Sequence, residues 1–403
     1  MTRNVVVTGM GVVSPIGADL GAYWDGLSSG QNGIVNREYT LGGDLSLTLP
    51  TAPIDGLDER LNNLGRALSR ADRFSQLAVL AADEAIANAG LEIDDETGAR
   101  MACIIGTGIG GQATFDHGYE QMLRRGKRPH PLSILKIITN APASHMSIRY
   151  GARGPAFAIS SACATGAHSI GVCADIIRHG GADVALAGAS EAVLTFGALT
   201  TWKAMHILAS ETCRPFSKNR NGLIIGEGAG VLVLEEEERA RKRGANIVAR
   251  LAGFGMNADG KDMINPEVDG AAGAIGLALG DMTINDPSAV YINAHGTGTL
   301  LNDPTETKAV REVFGAGADA LIMSSTKSMH GHLLGAAGGI EVIASILALN
   351  NNVAPPTMNY DVPDPACDLN YAPNEAIERK FDVAISNSFA FGGLNAVVAF
   401  EKV

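Results

Sequence analysis

Short, continuous apolar runs alternate along the chain with longer stretches that suit a helix. Residues 5–7 read as a strand, and Gly9 and Gly11 break the apolar run there. Residues 155–160 are β-rich, a helix is predicted from about Ala164 to His179, stopped by Gly180 and Gly181, and 183–187 is another strand. The plan recurs further on. Residues 321–324 predict a strand, 333–349 a helix rich in alanine and glycine, and 382–386 and 396–400 strands around a Gly392-Gly393 turn. Strands that are apolar throughout belong to sheets covered on both faces. The repeated plan predicts a duplicated α/β unit, divided as 1–250 and 251–403. The charge-dense stretch 235–243, ending at Gly244, reads as a solvated helix end between the halves. No linker is long enough to free one half from the other, so one rigid body is expected.

Composition narrows the class. Glycine takes 49 of 403 positions, well above its usual share of about 7%. A hydrophobic share of 46% excludes a disordered chain. Glycine without a G-X-Y period, beside 16 prolines, excludes collagen. The net charge of −12 argues against a nucleic-acid-binding protein. The first residues do not read as a cleavable signal. Charges such as Glu341 interrupt every apolar stretch, so no membrane span is expected. Cys103, Cys163, Cys173, Cys213 and Cys367 lack C-x-x-C pairing, which leaves neither a disulfide framework nor a structural zinc site. The expected location is cytoplasmic, with reduced thiols.

Some segments carry candidate chemistry. Gly9-Met10-Gly11 lacks the third glycine of a dinucleotide fingerprint, for Ser14 stands there, and reads as a tight turn. The segment 106–111 has no Lys-Ser/Thr of a phosphate loop and reads as backbone packed against substrate or a neighbouring chain. Cys163 lies between a strand and a helix start, where the helix dipole lowers a thiol pKa and favours the thiolate. A buried, inert cysteine is the other reading of that position. The other four cysteines read as structural. His295 and His332 both follow strands among glycines, where α/β proteins place their chemistry. His330 and His332 lack a further ligand at metal spacing. His117, His130, His145, His168, His179 and His206 read as structural or solvated.

Four segments, SSACATGAHSIG around Cys163, NAHGTGT around His295, STKSMHGHLLGAAG around Lys327 and His332, and NSFAFGGLN near the end, share their order and spacing with one family. From Val5 to Val403 the chain resembles the β-ketoacyl-[acyl-carrier-protein] synthases, the elongating type II condensing enzymes of the thiolase superfamily. The resemblance implies an α/β thiolase-like fold of five α/β/α/β/α layers from two similar halves. It implies decarboxylative condensation of an acyl chain, held on Cys163, with malonyl-acyl carrier protein. Cys163, His295 and His332 would form the triad, with Lys327 and Glu341 ordering it. The N–H groups of Cys163 and Phe391 would make an oxyanion hole. Thr297 and Thr299 would hold the phosphopantetheine arm, Ile109 and Trp202 would line the acyl pocket, and Phe389 and Phe391 would sit on a mobile loop. No metal or resident cofactor is implied, because the arm arrives on the carrier protein.

The expected assembly is a homodimer, or a heterodimer with a chain-length-factor-like subunit. Two other functions fit the resemblance less well. A non-catalytic chain-length partner lacks the cysteine, and a coenzyme-A-dependent thiolase carries a second cysteine where His332 stands. An acidic carrier must meet a chain of charge −12 at a local basic patch, for which Arg124, Arg125, Lys127 and Arg128, with Arg66 and Arg70, are the candidates. His206 stands where an arginine is familiar. Ala390, Leu394, His330, Asp262, Ile264 and Trp202 depart from the housekeeping pattern. They are similar to the nodulation-type synthases, which make specialised unsaturated chains.

Overall fold

The apolar runs hydrogen-bond into a ten-stranded sheet. The computed structural model describes residues 3–66, 68–280 and 282–403; Met1, Thr2, Ala67 and Asp281 lie outside the described residues. The strands are β1 (Val5–Val13), β2 (Met101–Gly106), β3 (Ala156–Phe157), β4 (Val184–Glu191), β5 (Gly228–Glu236), β6 (Ala249–Ala258), β7 (Val290–Asn293), β8 (Ile322–Ser324), β9 (Val383–Ala390) and β10 (Leu394–Glu401). Their spatial order is β8-β7-β9-β10-β6-β1-β5-β4-β2-β3. Cut between β6 and β1, this is one pattern used twice. Each half runs first, fifth, fourth, second, third from the seam outward. In each, the second strand is parallel to the third and fourth, and the fifth is antiparallel to the fourth and first. The seam is narrow: only Val6 with Arg250 and Val7 with Ala249 pair across it.

Helices cover both faces, as wholly apolar strands require. α1 (Arg73–Ala89) packs outside β1 and β5, and α3 (Val268–Leu279) and α4 (Asn302–Phe314) lie together, α3 resting on β6 and β10. α2 (Thr165–Arg178) and α5 (Ala337–Asn351) fill the space between the two half-sheets and touch strands of both. The layers are therefore α/β/α/β/α. The stretch Leu334–Asn351 is, against expectation, apolar and long enough to cross a membrane. It is 83% buried as the middle of this stack. Its one charge, Glu341, is tolerated because Lys327 meets it inside the core.

Three local expectations need correction. Gly9 and Gly11 do not end the first strand or make a turn; β1 continues through them to Val13. They are glycines because α1 lies against them: a Cβ at Gly11 would stand 1.9 Å from the Ala81 carbonyl oxygen. The second half repeats the device, with a Cβ at Gly253 1.7 Å from the Ala278 carbonyl oxygen of α3. Residues 155–160 give the sheet only the two-residue edge β3. The charge run at 235–243 is not simply solvated. Glu235, at the end of β5, is fully buried and accepts from the Thr8 hydroxyl, Arg239 and Arg243.

Gly11→Ala is expected to lower the unfolding free energy by about 1–3 kcal/mol through overpacking. Gly118→Ala, in a helix with open space around it, is expected to be neutral or to add up to about 1 kcal/mol. Urea midpoints of the two variants check the contrast.

Candidate active site

The nucleophile candidate sits on a strained elbow. Ala162 has φ +47°, a conformation that costs a residue with a Cβ about 1–3 kcal/mol. The tight turn Ala162–Ala164 then leads into α2. The C-terminal half builds the same feature: Leu334 also has φ +47°, and the turn Leu334–Ala336 leads into α5. His332 stands two residues before that turn. Its Nε2 lies 3.1 Å from the Cys163 sulfur. The Leu334 N–H donates to His332 Nδ1 at 3.2 Å. Nδ1 is therefore an acceptor, and in a neutral imidazole the proton must sit on Nε2, which donates to the sulfur.

His295 follows β7 in the loop before α4. Its own N–H and that of Gly296 each donate to Glu306 at 2.8 Å. The His295 and His332 rings meet edge to face with centroids 5.4 Å apart. The thiol and one nitrogen of each imidazole all lie within 4.8 Å of one another. The Lys327 ammonium is 2.5 Å from the Glu341 carboxylate, with both side chains wholly buried. The N–H groups of Phe391, in the β9–β10 turn, and of Cys163 itself are directed at the Cys163 sulfur.

Burial governs the charges. It pushes the Cys163 thiol up to about 11, and the Lys327 cation and the Phe391 N–H offset this only in part. This corrects the dipole argument, which left out the loss of water around a side chain only 5% exposed. Burial, with the Lys327 charge added, holds the His295 and His332 imidazoles well below their ordinary value. At neutral pH the resting trio is thus an uncharged thiol with two uncharged imidazoles. His330 turns away, its Nδ1 bonding the Gly331 carbonyl at 2.8 Å.

The sulfur opens into a cavity of about 280 Å³ shared with His295 and His332. Trp202, Phe389 and Phe391 supply aromatic walls, and Thr297 and Thr299 line it with hydroxyls 2.9 Å apart. Trp202 stacks on Phe391 with centroids 6.4 Å apart. Ile109 is not brought into this cavity; in the single chain its side chain is 39% exposed. His206, read as structural or solvated, is instead an exposed residue of the cavity wall. The glycine segment 106–111 packs against its own chain, since a Cβ at Gly106 would meet the Thr165 methyl at 2.2 Å.

The basic cluster divides. Arg124 is paired with Asp44, and Arg125 with Glu120 at 2.7 Å. Lys127 and Arg128 form no ion pair among the described residues and border a second cavity, with Lys136. Arg66 and Arg70 are exposed on the segment leading into that cavity's Ala71–Arg73 wall.

Sequence reasoning missed Asp303 and Glu306. Both are fully buried on α4 and accept backbone N–H groups of the His295 loop, Asp303 from Gly298 at 3.2 Å. Burial raises Glu306 to about 7. Two acids three residues apart at a helix start, directly after NAHGTGT, were the available signal.

The descriptions "Beta-ketoacyl synthase, N-terminal domain" and "Beta-ketoacyl synthase, C-terminal domain" match residues 2–240 and 248–361. The chain belongs to the β-ketoacyl synthase family. It is 43% identical to Nodulation protein E of Rhizobium sp. (strain N33), over 100% of both chains. It is 41% identical to 3-oxoacyl-[acyl-carrier-protein] synthase 2 of Staphylococcus aureus (strain N315), over 99% of this chain and 98% of that one. Among solved structures it resembles the ishigamide ketosynthase/chain length factor, with TM-score 0.91, 34% identity and 100% of each chain covered. A β-ketoacyl synthase from Burkholderia phymatum STM815 gives TM-score 0.89 and 33% identity, again over 100% of each. The chain is thus a ketosynthase-type acyltransferase that lengthens chains by condensation. Identities of 43% and 41% do not separate a nodulation-type from a housekeeping member.

With its thiol raised to about 11, Cys163 should be alkylated by iodoacetamide about tenfold faster per pH unit between pH 7 and 9. A rate already flat below pH 8 would show a preformed thiolate and contradict the burial argument.

Proposed function

We propose that this chain is the catalytic subunit of an elongating ketosynthase that joins an acyl chain on Cys163 to malonyl-acyl carrier protein. The observation that carries this reading is the His332 Nε2–H donated to the Cys163 sulfur at 3.1 Å, beside a second neutral imidazole. A non-catalytic partner has no use for that geometry, and a thiolase needs a second thiol where His332 stands.

In the proposed cycle the Cys163 sulfur attacks the carbonyl of the acyl thioester on the carrier. The N–H groups of Phe391 and Cys163 receive the oxyanion. The carrier arm leaves as its thiol, taking up the proton that Cys163 gave up. Malonyl-carrier then enters along Thr297 and Thr299 and loses carbon dioxide. Its enolate oxygen accepts from His295 and His332, donors typically worth about 3 kcal/mol each in a transition state. The enolate carbon attacks the acyl-enzyme, β-ketoacyl-carrier departs, and the Cys163 sulfur is reprotonated. Lys327 and Glu341 order the site without touching carbon. The cycle needs no cofactor beyond the carrier's own arm.

A cytoplasmic setting belongs to the same proposal, supported by five free cysteines. So does the division at about residue 250. The assembly is proposed to be a dimer with a second copy or a chain-length-factor-like subunit. The exposed edge β3 and the exposed Ile134 and Leu135 support it.

Incubation of acyl- and malonyl-carrier protein with the wild type should give condensation product and a trapped acyl-enzyme by mass spectrometry. Cys163→Ala should give neither; product from both proteins, or from neither, sinks the proposal. The ion pairs refine the docking patch. Arg128→Glu should raise the carrier KM more than Arg125→Glu, whose charge Glu120 already offsets, with kcat little changed in either. Equal KM effects would remove the distinction.

A further inference from the structure

Glu191, the last residue of β4, is fully buried, and among the described residues no cation pairs with it. Donors of this chain occupy both of its oxygens. Oε1 accepts from the Thr107 hydroxyl at 2.8 Å and the Ile109 N–H at 3.3 Å. Oε2 accepts from the Gly108 N–H at 2.7 Å and the Gly335 N–H at 3.0 Å. The carboxylate thus bridges the two halves, from a loop after β2 to the turn that follows His332. Nothing larger than glycine fits there. A Cβ on Gly335 would stand 2.7 Å from Oε2 and 2.3 Å from the Gly108 nitrogen.

Gly335 directly follows Leu334, whose φ of +47° is unfavourable for a residue with a Cβ. Such a conformation persists only where its surroundings over-determine it. One flanking contact is the Gly335 N–H on Glu191, and the other is the Leu334 N–H on His332 Nδ1. A neutral imidazole has a single N–H. If Nδ1 carried it, Nε2 would accept the thiol proton and could not donate to sulfur or to an enolate oxygen.

We propose that Glu191 is a positioning residue: by holding the Gly335 amide it keeps the Leu334 amide on His332 Nδ1, and so keeps the His332 proton on Nε2, facing Cys163. The effect on condensation rests on the ketosynthase reading; the tautomer and the thiol behaviour do not.

The test uses the full chain, labelled with ¹⁵N-histidine. Wild-type His332 should show a protonated Nε2 and an acceptor Nδ1; the reverse tautomer overturns the proposal without any variant. Glu191→Ala leaves three backbone N–H groups without their acceptor. It should shift the tautomer population and move the midpoint of Cys163 alkylation up by about one pH unit, as expected when one donor to a thiolate is lost. Its condensation kcat should fall about tenfold or more with carrier KM within about twofold. Glu191→Gln keeps a carbonyl for Gly335, since Thr107 can turn to accept, and should stay within a few-fold of wild type. Glu191→Ala with unchanged tautomer and alkylation midpoint overturns the inference, as does equal impairment of both variants. Wild type with the expected tautomer and alkylation but no condensation product would sink the ketosynthase reading and leave the positioning role standing.

Discussion

The active site depends on how closely two helices approach. α2 and α5, one from each half, meet backbone to backbone. A Cβ at Gly166 would stand 2.4 Å from the Gly339 nitrogen, and one at Gly338 would stand 2.6 Å from the Ala167 nitrogen. Side chains of ordinary size would separate the helices by several ångströms. The elbow before each helix would separate with them, and the 3.1 Å contact between Cys163 and His332 would be lost. The glycine excess therefore has a function at this seam. It sets the distance across which the chemistry works, much as Gly11 and Gly253 set the outer helices against their strands.

Burial at that seam has an electrostatic consequence. Water is excluded, so thiol and imidazoles rest uncharged, and the charge that remains is held as a pair, Lys327 with Glu341. Removing one partner of such a pair typically costs about 3–5 kcal/mol, because the other is left buried alone. The pair also acts at a distance. Lys327 lowers the proton affinity of both histidines and favours negative charge on Cys163. It thereby favours neutral donors over imidazolium, which is the state an enolate oxygen needs from a residue that must not hand over its proton.

The strands, the helix after Cys163 and the duplicated plan could be read from runs of apolar residues. The residues that meet at the sulfur could be read because their short segments are distinctive. What could not be read depends on neighbours remote in sequence. Gly9 and Gly11 resemble a turn until α1 is placed against them. The Cys163 dipole argument was correct in sign and too small, because burial is a property of the whole fold. Arg124 and Arg125 look like free cations until Asp44 and Glu120 are seen beside them. Asp303, Glu306 and Glu191 are single acids in a chain with 43 of them. Only their backbone partners distinguish them.

Duplication also explains why the site is asymmetric. Counted from the two equivalent turns, Ala162 corresponds to Leu334 and Cys163 to Gly335, and both leading residues have φ +47°. The first elbow presents a thiol. The second has no room for any side chain, because the Glu191 carboxylate and the Gly108 backbone occupy the space a Cβ needs. What it presents is its backbone: the amide at Gly335 is taken by Glu191, and the one before it by His332. One copy of the ancestral turn thus carries the nucleophile and the other orients the group that serves it. A second nucleophile at the matching position is excluded by packing alone.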